Sequence, residues 1–100
     1  MQFLVSIIPH IPPATPKEQI ADLLTQETDA AVDLMRRGIL KRIDRAVGRG
    51  GNYSVWEVDS LEQLDDVLNG LPMAPYLSYE VIPLRKHRVQ IAYETRFPKQ

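Results

Sequence analysis

Two helix-opening signals, each preceded by a β-branched run, constrain this sequence more than any other feature. In the first, Thr15 can cap, Pro16 suits the first helical position, and Glu18 stands three residues beyond the cap. Ser60 and Gln63 repeat the arrangement in the second half. The first helix is expected to run to about Arg37, where Gly38 ends it and leaves Arg36 and Arg37 at the negative pole of its dipole. The second closes at Gly70. Strands are expected at 2–9, before Pro9, Pro12 and Pro13, and then at Ile39–Val47, Asn52–Val58 and Tyr76–Leu84. Gly48-Arg49-Gly50-Gly51 reads as the turn between the middle two, since glycine tolerates positive φ.

The resulting order, β-α-β-β-α-β, is the split pattern of ferredoxin-like folds. The fold class is α+β: a four-stranded antiparallel sheet with two helices on one face. In the last strand Leu77, Tyr79 and Val81 alternate with Ser78, Glu80 and Ile82, so neither face is plainly solvated. In the third, Tyr53 and Val55 lie opposite Trp56 and Val58. One face packs on helices; a second subunit laid sheet to sheet, giving a dimeric α+β barrel, is the economical cover for the other. One domain is expected over residues 1–90. The polar chain from Arg85 onward, with 91–100 as its tail, is expected to be loosely ordered unless a neighbour holds it.

Composition removes several classes of function. There is no cysteine, so disulfides, thiolate metal sites and thiol nucleophiles are excluded. The net charge of −1, with Asp44 interrupting the basic residues of 36–49, offers no footprint for nucleic acid. No run approaches the roughly 20 apolar residues that span a bilayer, and MQFLVSIIPHIPP reads as a strand rather than a signal peptide. A cytoplasmic protein is expected, with no membrane partner. His10 and His87 form no metal spacing, and the glycines of 48–51 join strands instead of opening a helix. Neither a metal nor a cofactor is expected.

One residue breaks its pattern. At about 100° per residue, Ile20, Leu23, Leu24, Ala31, Leu34 and Met35 share a stripe of the first helix, and Glu27 stands in its middle. A carboxylate there is costly unless paired, protonated or functional. Burial would raise its pKa, as a general base working near neutrality requires. The alternative is a structural ion pair with Arg45 or Lys41. Asn52, Ser54 and Trp56 share a face of the third strand, with Tyr53 adjacent. Asn52 could donate to an oxyanion, or simply shape the turn. Arg45 could clamp a carboxylate, or be an ordinary solvated charge.

The stretch GNYSVWEVDS followed by LEQLDDVLNGLPMAPYLSYEVIPL resembles the core of the muconolactone isomerase family, in which an Asn-Tyr-Ser strand precedes a helix, Gly-Leu-Pro, Pro-Tyr and Glu-Val-x-Pro-Leu. The resemblance extends back through Glu27, Arg36, Gly38, Arg45 and Gly48, and covers residues 1 to about 88. It implies a ferredoxin-like subunit, dimeric units assembled into a decamer, and cofactor-free double-bond isomerisation of a small-molecule butenolide in aromatic catabolism. It also implies Glu27 and Asn52 as catalytic residues and Arg45 as a clamp on the substrate carboxylate; Tyr53, Ser54 and Trp56, beside Asn52 on the third strand, are the further candidates for contacting substrate. Leu4, Ile8, Leu24 and Gln26 replace polar residues of the family, while Leu40, Asp44 and Ala74 replace aromatic ones. These departures imply a more apolar, less cationic pocket, and so a different lactone or an uncharged or larger unsaturated carbonyl compound. A related cofactor-free oxygenase or dehalogenase, or a small-molecule binding protein, stands as the alternative.

Overall fold

Alternation along β1 (Gln2–Pro9) sorts the sheet into two faces. Phe3, Val5 and Ile7 are buried on one side, while Leu4, Ser6 and Ile8 turn to the other. The computed structural model describes residues 1–99. After β1 come α1 (Lys17–Arg36), β2 (Leu40–Arg45), β3 (Asn52–Glu57) and α2 (Leu61–Asn69). A 3-10 turn (Ala74–Tyr76), β4 (Leu77–Leu84) and α3 (Arg88–Arg96) complete the chain. The sheet order is β2-β3-β1-β4 with every neighbouring pair antiparallel. This is the expected ferredoxin-like arrangement. Each of α1 and α2 crosses over one intervening strand, and right-handed crossovers place both on the same face.

Register carries the two faces across the strands, because directly paired residues point the same way. On the helix-covered side the rows are Leu40–Trp56–Phe3, Ile43–Ser54–Val5–Val81 and Arg45–Asn52–Ile7–Tyr79. Phe3, Val5, Ile7, Leu40 and Trp56 meet Leu34 of α1 and Leu64, Leu68 and Leu71 of the α2 region in one core. The open face carries the rows Arg42–Val55–Leu4–Ile82 and Asp44–Tyr53–Ser6–Glu80.

Several expectations are corrected. Helix α1 begins at Lys17, with Pro16 outside it as the cap and no side-chain capping bond. Thr15 instead closes a turn, its N–H donating to the Pro12 carbonyl (3.0 Å). A residue before proline is held out of the helical region. The α1 stripe is also less enclosed than its periodicity suggests: Leu34 is buried, but Leu24 and Met35 are exposed. At α2, Ser60 Oγ accepts from Gln63 N–H (3.1 Å) as expected, and Gln63 Oε1 accepts from Asp59 N–H (2.7 Å).

The C-terminal stretch is helical rather than loose. His87 Nδ1 caps α3 by accepting from Val89 N–H (3.1 Å), and Lys86 pairs with Glu94 (2.7 Å). No residue of α3 is buried. The described chain measures 54 × 28 × 26 Å with a radius of gyration of 15.8 Å, against about 13 Å for a compact chain of this length.

The turn between β2 and β3 contains the tightest backbone approach. Gly51 has φ +90°, and a Cβ there would lie 1.9 Å from the Ile7 carbonyl oxygen. Gly48 also has positive φ (+85°) but open space around it. Gly51→Ala should therefore lose about 3 kcal/mol or more and Gly48→Ala about 1 kcal/mol, measured by urea denaturation. Equal losses would show that the contact with Ile7 matters little.

Candidate active site

Where α1 overhangs the rim of the sheet, a cavity of about 200 Å³ opens between the helix, β1, β2, β3 and the loop after α2. Its wall is apolar: Ile7, Leu24, Ala31, Leu40, Ile43, Trp56, Leu71, Met73 and Leu77 contribute, with Pro9 and Gly51 at one end. Two polar side chains with uncommitted capacity reach it, Glu27 and Asn52.

Glu27 enters because it lies on the sheet-facing stripe of α1. Its Oε1 accepts a hydrogen bond from the Met73 backbone N–H (3.1 Å). The loop that supplies this donor is folded by successive short bonds, Leu71 N–H to Leu68 O (3.2 Å), Ala74 N–H to Leu71 O (3.0 Å) and Tyr76 N–H to Met73 O (2.8 Å). Burial pushes the Glu27 carboxyl above its ordinary value, and the Met73 bond offsets this only in part. No ion pair reaches Glu27 among the described residues, so the pairing with Arg45 or Lys41 is not formed. Tyr79 lies close by. Burial and, secondarily, the Glu27 charge push its phenol up to about 12, and its hydroxyl donates to the Leu68 carbonyl (3.2 Å).

Asn52 is placed by register, in the row Arg45–Asn52–Ile7–Tyr79. Its Oδ1 is buried without a hydrogen-bond partner. The amide NH₂ of the same side chain is a donor, and because Asn52 lines the cavity the group can offer that donor to a bound molecule. An unsatisfied buried amide is costly unless something completes it.

The other residues singled out from the sequence separate. Trp56 lines the cavity, its indole N–H spent on Ser54 Oγ (2.7 Å). Ser54 is buried and also donates to the Val5 carbonyl (3.4 Å), so it fixes Trp56 rather than lining the cavity. Tyr53 lies on the opposite, open face, under the Arg49 guanidinium (4.6 Å to the ring centroid). Strand alternation puts neighbours on opposite sides, so adjacency to Asn52 takes it away from the cavity. Arg45 shares the cavity's face but is exposed and does not line it. Nothing in the local pattern marks Met73, Leu71 or Tyr79 as site residues: the Gly-Leu-Pro and Pro-Tyr pair signals a loop but not where it docks. Among the described residues, no group of acids and histidines could hold a metal ion.

A family model described as muconolactone delta-isomerase matches residues 1–90. A muconolactone delta-isomerase of Cupriavidus pinatubonensis is 36% identical over 87 residues, covering 87% of this chain and 95% of its own. The crystal structure of a muconolactone isomerase superposes with a TM-score of 0.82 at 34% identity, covering 88% of this chain and 92% of that one. A 5-chloro-2-hydroxyhydroquinone dehydrochlorinase from Burkholderia phenoliruptrix shares the fold alone, with a TM-score of 0.62 at 13% identity over 89% of this chain and 98% of that one.

The raised Glu27 pKa has a consequence for stability. A carboxyl whose folded pKa exceeds its unfolded value stabilises the fold when protonated, and that contribution is lost as pH rises through the folded pKa. Ionised Glu27 is thus a net burden at neutral pH. Glu27→Gln keeps an acceptor for Met73 N–H, so it should be at least as stable as wild type at neutral pH. The difference should shrink in acid, as wild type takes up its proton. Denaturant titrations at both pH values check this; a clearly weaker Gln variant at neutral pH would contradict it.

Proposed function

The chain belongs to the muconolactone delta-isomerase family, and from that premise we propose that it moves a carbon–carbon double bond within an unsaturated lactone by proton transfer, without a cofactor. The observation that carries this reading is Glu27, a single carboxylate of raised pKa held by Met73 N–H in a mostly apolar wall that also contains Asn52.

In an α,β-unsaturated lactone the γ C–H is acidic, because its removal gives a dienolate with charge on the carbonyl oxygen. Ionised Glu27 breaks that C–H bond and becomes neutral. The Asn52 amide donates to the developing oxyanion. Glu27 then returns the proton to the α carbon, which leaves the double bond β,γ and restores the carboxylate. No electrons are gained or lost. A carboxyl with a pKa moved toward neutrality serves both halves, as base and then as acid.

Oligomerisation belongs to the same proposal. The open-face row Val55–Leu4–Ile82 is apolar, and Ile82 is 41% exposed. A second copy laid sheet to sheet covers it, giving dimeric units that can assemble further, up to a decamer. A cytoplasmic location completes the reading; among the described residues no helix is long and apolar enough to cross a membrane.

Wild type should isomerise a butenolide, and Glu27→Gln should lose about a thousandfold in kcat while remaining folded. Asn52→Ala should lose about a hundredfold. In wild type, kcat/KM should fall on the acid side through a carboxylate pKa above 4.5, because the base must be ionised. Inactivity toward every lactone, or a fully active Gln variant, would sink the reading. Sedimentation should find at least a dimer, dissociated by Leu4→Glu; a monomeric wild type would refute sheet-to-sheet pairing.

A further inference from the structure

Resting on the isomerase reading, we infer that the lactone taken by this cavity is uncharged: a butenolide whose γ carbon keeps its hydrogen and carries an alkyl or ester-bearing substituent, and not one with a free carboxylate. Among the described residues, Glu27 is the sole ionisable side chain in the cavity wall, and it must be negative to act. A second carboxylate in the same apolar volume meets like charge and loses its hydration with nothing to replace it.

The donors that might compensate are already committed. The Met73 N–H is on Glu27, and the Trp56 indole N–H is on Ser54. The Asn52 amide remains, and the oxyanion needs it. Among the described residues of one subunit, none of the nearby cations lines the cavity. Arg42 pairs with Asp44 (2.8 Å), and Arg36 and Arg37 pair with Asp33 (2.6 and 3.4 Å). Arg49 lies on the open face, on Tyr53 and Ser6 Oγ (2.8 Å). Lys41 Nζ lies 3.9 Å from the position of a Cβ on Gly38 and is not part of the cavity wall. Arg45 is on the right face, but it is exposed and outside the wall.

The rim supplies a positive argument. Leu24 on α1 and Ile43 on β2 both line the cavity and are 51% and 41% exposed. Apolar side chains held open at a cavity mouth gain by covering a hydrocarbon substituent and lose by contacting a charged one.

Three probes separate charge from size: a γ-ethyl butenolide, the γ-carboxymethyl butenolide, and the methyl ester of the latter. With wild type, kcat/KM for the ester and the ethyl compound should exceed that for the acid by about tenfold or more. Ile43→Lys, which places a cation at the rim, should raise kcat/KM for the acid. Preference of wild type for the acid over its own methyl ester overturns this inference and leaves the isomerase reading intact. Inertness toward all three overturns both.

Discussion

The bond from the Met73 N–H to the Glu27 carboxylate joins residues 46 positions apart, and the cavity depends on it. It ties the middle of α1 to the loop after α2. Without it, that loop would have no polar anchor at the helix, and a charged side chain on the sheet-facing stripe would have no reason to remain there. The bond favours the ionised form while burial opposes it, and burial prevails. The carboxyl is thus fixed in place without the lowered pKa that a strong ion pair would impose.

Behind Glu27 the sheet supplies a rigid wall. Trp56 is locked by Ser54, which is in turn bonded to the Val5 carbonyl. These contacts belong to the two central strands. Gly51 brings the β2–β3 turn against the Ile7 carbonyl at a distance that no Cβ permits, which sets Asn52 at the start of β3. The orphaned Asn52 oxygen is a local cost carried by a residue that lines the cavity. Strain and unsatisfied groups persist in folded proteins where the surrounding packing outweighs them, and functional sites are where they collect.

The open face follows different chemistry. Arg49 stacks on Tyr53 and bonds Ser6, and Arg42 pairs with Asp44 across a surface that also presents Leu4, Val55 and Ile82. The basic residues of 36–49 are thus engaged by local partners or stay outside the cavity wall. Among the described residues that leaves the cavity wall with an acid and no matching cation, a distribution that composition alone could not reveal.

Helix-opening signals, glycine turns and β-branched runs were enough to determine the βαββαβ order, the two-faced sheet and the exceptional position of Glu27. All of these are local, written in spacings of two to four residues. Tertiary structure decided the rest. Whether Glu27 meets Arg45 or a backbone N–H depends on a docking across 46 positions, and no periodicity encodes that. Tyr53 and Asn52 are neighbours in sequence yet face opposite sides, and only the register with β1 and β2 shows which side holds the cavity. The polar terminal segment looked unstructured because it lacks a core-facing stripe; its helix rests on a histidine cap and a lysine–glutamate pair. A residue's place along the chain follows from local rules, whereas its neighbours in space follow from how distant segments pack.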